Sequence, residues 1–441
     1  MARIKRLLLV GGRQLRENFH RDLVIKEALE ARGVETRYGV ASRQLNKNGY
    51  DESARALLRQ PQETIWLESP ADFKRCMRGF DAVVFGAWKS YLPLVQMARA
   101  EGRMTFNYND NGGGDHWPMD VDHALMRSAW QKRLLLHLQE KLNLRGALPP
   151  ERMHVTGSIV HEFPQGTKGT VFADRDRFCA AYGMDPEKPI ACLFPKGIAV
   201  FKQKVRLWFP HWSESQQTGY DRWVLDKYAE ICRKMSQGEC NTLIKMHPTS
   251  YSSYMCNRDE ESAYWQQFPW LKVLAPEHTY DLFHYADIGI AITSHAAIDM
   301  GYFGKPVIYV DSDQLTPPPL PSFQTLHLSH IPLGPSSHWH SRPREDNLWF
   351  PSWLGHFARA KDLPDLLKDP QTYRVSPADH QRFVSEFWYK KDGRSGDRMA
   401  EFILRRGEER LSSLSHQLSL PRLRGVSQDL LHRLASSSDG R

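Results

Sequence analysis

Nowhere does this chain of 441 residues carry an apolar run of the roughly 20 residues needed to cross a bilayer. The short run Leu7-Leu8-Leu9-Val10 passes at once into Gly11-Gly12-Arg13-Gln14, so it reads as a first sheet strand and not as the core of a signal peptide. The six cysteines, Cys76, Cys179, Cys192, Cys232, Cys240 and Cys256, form no CxxC pair and no metal-ligand spacing. They read as reduced, mostly buried residues of a cytosolic protein. His154 with His161, and His338 with His340, lack further ligands of suitable type and spacing, so no metal site is expected. The loop after the first strand is no GxGxxG fingerprint, which argues against dinucleotide binding. No basic stripe interleaved with aromatics appears, so nucleic acid is not an expected partner.

What remains is the composition of a globular α/β protein, 41% hydrophobic and 25% charged, too long for one ordinary core. The net charge of +8 is modest over this length and suits anionic substrates or an anionic membrane surface. In the first half, short buried runs (Leu7 to Val10, then Ala82-Val83-Val84-Phe85, then Thr105-Phe106-Asn107-Tyr108) alternate with helical patterns closed by Gly33 and Gly102. Such alternation predicts a parallel, doubly wound sheet. After Asp174 the pattern restarts, with a helix to Gly183, a strand over 190–194 and a helix from about Asp221. The expected architecture is two Rossmann-like domains facing across a cleft, with a C-terminal helical extension. The bounds are 1–160 and 161–376, the second holding a Pro-rich loop at 313–345. Closing helices at 377–406 and a basic, flexible tail at 407–441 complete the chain.

The second half holds the densest functional signal. Thr242-Leu243-Ile244-Lys245-Met246-His247-Pro248 is a strand ending in basic residues. Ile288-Gly289-Ile290-Ala291-Ile292 is a strand that runs into Thr293-Ser294-His295-Ala296-Ala297 at a helix start. Open α/β sheets bind ligands at such strand ends, and a helix start offers free N–H groups to a phosphate. Ser294 is expected to cap that helix while the amides of residues 295–297 face a diphosphate. Lys196, after Phe194-Pro195, is a further candidate for phosphate.

These marks, in order, resemble the GT-B glycosyltransferases, in particular the bacterial group of capsule Kdo transferases, sialyltransferases and CDP-glycerol glycerophosphotransferases. Lys245-Met246-His247-Pro248 resembles their HP motif, and residues 280–287 the helix before the donor strand. Thr293-Ser294 stands where they carry Ser-Ser or Ser-Thr, and Asp392-Gly393-Arg394-Ser395 resembles their closing turn. His295 replaces the second serine of the usual pair, and Asp299 is the acid nearest the place where many relatives hold the ribose.

The resemblance implies a metal-independent transferase without a cofactor. It would move a sugar, of Kdo or sialic type among the options, from a nucleotide donor to a cell-surface polysaccharide or glycolipid. Lys196, Lys245, His247, Glu277, Thr293, Ser294, His295 and Ala296 would bind the donor, with His247 on its phosphate. In the first domain the polar loop 107–116 supplies Asp110 as base, resembling an acidic-acidic-Gly motif with one acid replaced. Asp115 and His116 stand beside it as rivals, and with Arg13 and Lys89 they would meet the acceptor. Trp208 and Trp212 are candidates for stacking on sugar rings, and Trp223 reads as core. Three other readings fit: a CDP-glycerol-type glycerophosphotransferase, a UDP-GlcNAc 2-epimerase-like isomerase, or a non-catalytic nucleotide-sugar-binding protein. The expected place is the cytoplasm, with the basic tail suited to peripheral contact at the inner face of the membrane.

Overall fold

The computed structural model describes residues 4–11, 19–42, 45, 64–86, 92–109, 121–141, 148–166, 169–195, 212–246, 258–291, 294, 296–310 and 355–419. Seven parallel strands form the first sheet: β1 (Arg6–Gly11), β2 (Glu35–Ala41), β3 (Thr64–Leu67), β4 (Ala82–Phe85), β5 (Met104–Asn109), β6 (His123–Met126) and β7 (Met153–Val155). Their order is β3-β2-β1-β4-β5-β6-β7. The chain therefore winds outward from β1 in one direction and from β4 in the other. That reversal opens a crevice at the carboxyl ends of β1 and β4.

The second sheet repeats the plan with β8 (Ile190–Phe194), β9 (Asn241–Ile244), β10 (Lys272–Val273), β11 (Ile288–Ala291), β12 (Val307–Val310) and β13 (Gly355–Ala358). The order β10-β9-β8-β11-β12-β13 puts its reversal between β8 and β11.

Both sheets are covered on two faces, which is why their strands are continuous apolar runs. Leu7 and Leu9 of β1 point to one core with Ile25 and Leu29, while Leu8 and Val10 point to the other with Phe73 and Val95. Ile190, Cys192 and Phe194 likewise oppose Ala191 and Leu193 in β8. Each such Leu, Ile or Val contributes about 1.5–3 kcal/mol by leaving water. The first face is roofed by α1 (Phe19–Glu30) and by α2 (Ser395–Ser419), which comes from the far end of the sequence.

The chain thus passes between the domains twice, over residues 156–162 and again near 389–394. The two passages are fastened together. Glu162 accepts the backbone N–H groups of Ser395 and Gly396 at 2.7 and 3.0 Å, at the buried start of α2. Arg398 donates from Nε to the Thr156 carbonyl and from Nη1 to Asp392. Arg32, beyond the end of α1, holds Asp397 and Glu401. Gly157, at φ +99, lies so close to α2 that a Cβ would stand 2.6 Å from Ser395 Oγ.

Several expectations need correction. The helix expected from about Asp221 starts at Glu214, because Ser213 and Gln216 form a reciprocal capping box there. The closing helices are separated by a reversal, and the last does not end at Arg406. A helix over Pro377–Phe383 runs into a π turn at Val384–Trp388, and the chain reverses at Tyr389, φ +73. The helix α2 then continues through Gly407 to Ser419, because Gly407 packs against Ile4 where a Cβ would stand 2.6 Å away. The Pro-rich loop 313–345 and residues 420–441 lie outside the described residues. No helix among the described residues is long and apolar enough to cross a membrane.

Candidate active site

The carboxyl edge of the second sheet brings Lys245, Glu277, Ser294 and Ala296 into the described structure. Lys196, His247, Thr293 and His295 lie outside it, as do Arg13, Lys89, Asp110, Asp115 and His116 of the first domain. Lys245 follows β9, largely buried, with its backbone N–H on the Leu193 carbonyl and its charge near the Cys192 thiol. Glu277 is exposed on the 3-10 turn Pro276–His278. The Tyr182 hydroxyl pins that turn from both sides, 2.6 Å from His278 Nδ1 and accepting the Ala275 N–H.

Ser294 caps the following helix, α3 (Ala296–Tyr302), as expected: its Oγ accepts the Ala296 N–H at 3.3 Å. The consequence for ligand binding differs from the expectation. The Ser294 carbonyl also accepts the Ala297 N–H, so two of the three amides meant for a diphosphate are turned into Ser294. Ala297 is fully buried besides.

The acids of the matched segment 280–287 serve the scaffold. Asp281, fully buried, accepts the backbone N–H groups of Val171 and Phe172. Asp287 pairs with Arg175 and accepts the Ile190 N–H. Tyr280 donates to the Val160 carbonyl, binding this helix to the interdomain passage.

Asp299 is part-buried against His161. Its Oδ1 lies 3.2 Å from His161 Nε2, although neither ring nitrogen of His161 has hydrogen-bond geometry. The imidazole is stacked on Tyr302 and ringed by Tyr280, Phe283, Phe303 and Trp388. Burial pushes its pKa down against the pull of Asp299. Burial also opposes ionisation of Asp299, but His161, Arg21 and Arg127 outweigh it and hold the carboxyl below its usual range. Arg127 is buried over the Trp388 ring, 4.7 Å from its centroid, so a first-domain cation rests on the second passage between domains.

Glu162 and Asp22 escaped the sequence reading, and His161 was weighed there only as a metal ligand with His154. Asp22 is fully buried in the first turn of α1, where it accepts hydrogen bonds from Tyr38, at 2.8 Å, and from Tyr108. A signal for it existed: Asp22 shares the face of Ile25 and Leu29 at helical spacing, so a carboxylate stands on an apolar stripe. Trp223, read as core, does pack against the second-domain core, stacked on Tyr220. Trp212 also packs there, edge-on to Tyr220, while Trp208 lies outside the described residues. The five described cysteines are free thiols, and no described His, Cys, Asp and Glu cluster could hold a metal.

No family model and no curated protein matches the chain. Solved structures do. The wall teichoic acid polymerase TagF, in a crystal soaked with CDPG, superposes with a TM-score of 0.51 at 11% identity, over 92% of this chain and 89% of that one. A putative UDP-N-acetylglucosamine 2-epimerase from Listeria monocytogenes gives 0.53 at 10% identity, over 92% and 98%. MnaA of S. aureus with UDP gives 0.52 at 10% identity, over 91% and 96%. The chain therefore has the GT-B fold: two parallel-sheet Rossmann-like domains joined by a double passage. Fold alone does not carry an activity.

Proposed function

We propose that the protein is a GT-B transferase that binds a nucleotide-activated donor on its second domain and moves the donor's sugar to a cell-surface polysaccharide or glycolipid held by the first. The observation that carries this reading is the position of Lys245 and Ser294. Both lie at the carboxyl edge of the second sheet, Lys245 just past β9 and Ser294 just past β11, the two strands that flank β8. The HP-motif residue His247 follows Lys245 by two positions in the sequence.

The chemistry requires charge to build on the departing nucleotide phosphate while an acceptor hydroxyl loses its proton. His247, with Lys196, Lys245 and the Ser294 and Thr293 hydroxyls, is assigned to the phosphate. Glu277 and His295 are assigned to the nucleoside side. Asp110 is assigned to meet the acceptor hydroxyl, with Arg13, Lys89, Asp115 and His116 around the acceptor. Metal independence belongs to this proposal, as does peripheral placement at the inner face of the membrane through the basic C-terminal residues.

The test is turnover. The purified chain is offered UDP-GlcNAc, CDP-glycerol and CMP-sialic acid, and the released nucleotide and the fate of the donor are followed. Release of UDP or CMP supports glycosyl transfer. Release of CMP from CDP-glycerol moves the assignment to glycerophosphoryl transfer. Conversion of UDP-GlcNAc without nucleotide release identifies an isomerase, and binding without conversion of any donor a non-catalytic protein.

A further inference from the structure

The outgoing passage between the domains buries an imidazole. The His161 side chain is 2% exposed, and neither ring nitrogen has a hydrogen-bond partner among the described residues. A polar group so placed costs stability, and native interiors otherwise avoid it. Its shell is drawn from several elements. Tyr280 and Phe283 come from the helix Thr279–Tyr285, Tyr302 from α3, Phe303 from just after it, and Trp388 from the π turn. The first domain packs on that same π turn: Trp130 stacks on Phe387 at 4.5 Å between centroids, and the Arg127 guanidinium lies over Trp388. His161 therefore stands where the outgoing passage, α3, the returning passage and the first domain meet. Each passage also carries a positive φ near this point, +99° at Gly157 and +73° at Tyr389. Tyr389 is no glycine, so its conformation is strained, and such positions absorb the angle changes of a hinge.

The charged and titratable groups around the imidazole come from each of these elements. Asp299 and Tyr302 face it from α3, Tyr280 and His284 from the preceding helix, Arg127 from the first domain and Arg21 from α1. Glu162 follows it in the chain and is committed to the Ser395 and Gly396 N–H groups. Lys391 lies 4.6 Å from the centroid of the Tyr302 ring on which His161 stacks. A proton on His161 would add a cation to this crowd. Burial opposes it most, Arg21 and Arg127 oppose it further, and Asp299 favours it. Contact with water removes the largest of these penalties. A proton therefore binds the opened junction in preference to the closed one, and acid shifts the population towards opening.

We propose that His161 is a proton-operated latch: neutral, it seals the junction between the two domains, and protonated, it releases it. The sign follows from the lowered value in the closed form. The closed state is fully favoured above the ordinary histidine value of 6.5 and loses ground as pH falls below it. The helix α3, which carries Asp299, starts beside Ser294, so the latch and the nucleotide edge share one short helix. The latch does not depend on which group, if any, the protein transfers.

The experiment is hydrogen exchange on the full chain between pH 7.5 and 5.5, read by mass spectrometry and corrected for the intrinsic pH dependence of exchange. The Ser395 and Gly396 amides, held by Glu162 beside the latch, report the junction. Their protection in wild type should fall by about tenfold over this range. The amides of β8 should keep theirs, as should residues 399–404, which include Phe402 over the separate pair His123 and His154. His161→Phe keeps a ring in the cage without a titrating group and should abolish the fall, and His161→Gln should do the same. A purely structural role would lower protection at every pH and leave the slope in place. A flat wild-type profile overturns the latch, as does an equal fall across residues 399–404. So does a wild-type slope in either variant that circular dichroism shows to be folded.

Discussion

Glu162 and Ser395 stand 233 positions apart, yet the Glu162 carboxylate accepts the Ser395 N–H at 2.7 Å and ties the outgoing passage between domains to the returning one. The same carboxylate takes the Gly396 N–H, so it occupies two of the amides that a helix start leaves without intrahelical partners. Replacing Glu162 by Ala leaves those donors buried without an acceptor. The expected loss is about 1–3 kcal/mol in urea unfolding. Loss of less than measurable stability would show that water replaces the carboxylate.

Gly157 tests the same junction from the other side. Ala at φ +99 is strained by about 1–3 kcal/mol and also meets Ser395 Oγ. Gly157→Ala should lower the Tm, and its effect should not add to that of Glu162→Ala, because both disturb one contact. Simple additivity in a double-mutant cycle contradicts this.

Under α2 lies a pair of histidines whose titration sets an acid limit. His123 Nδ1 and His154 Nε2 are 3.3 Å apart and both pack on Phe402. Burial, with Arg406 and other cations, lowers each imidazole to about 4. Their neutral forms belong to the folded state, so their contribution is intact above the unfolded value near 6.5 and is lost as pH falls from there towards 4. Thermal melts from pH 7.5 to 4.5 should show that fall, and His154→Gln should flatten it. An unchanged slope in that variant assigns the acid sensitivity elsewhere.

Asp22 has the opposite sign. Its folded pKa is raised, so its stabilising contribution is present below the unfolded value of 3.8 and lost as pH rises through about 6. Asp22→Asn should therefore melt higher relative to wild type at pH 8 than at pH 5. A difference that grows towards acid pH contradicts a buried, proton-binding carboxyl.

Much of the scaffold was legible because parallel strands buried on both faces announce themselves as apolar runs. Residues 82–85 and 190–194 were readable to the residue. The strand Lys272–Val273 lies inside the readable run 271–274, whereas Gly355–Ala358 was hidden, without an apolar run to distinguish it. The capping role of Ser294 was readable from its place before two alanines, but the inward turn of the Ala296 and Ala297 amides was not, since both arrangements share one sequence. His161 with Asp299, and Glu162 with Ser395, are pairs formed across the whole chain, where local pattern carries no information. Asp22 broke a local rule, by placing charge on an apolar helix face, and that pattern is a readable signal of a buried acid.

The central claim, a nucleotide held at the carboxyl edge of the second sheet, is tested most directly by ligand-induced stabilisation. CMP, CDP, UDP and GDP are each added to the full chain and to His247→Ala, and unfolding is followed. The account predicts that one nucleotide stabilises wild type by about 2.7 kcal/mol at a hundred times its Kd, and that His247→Ala largely removes the effect. Stabilisation by none of the four, or equal stabilisation of the variant, contradicts it.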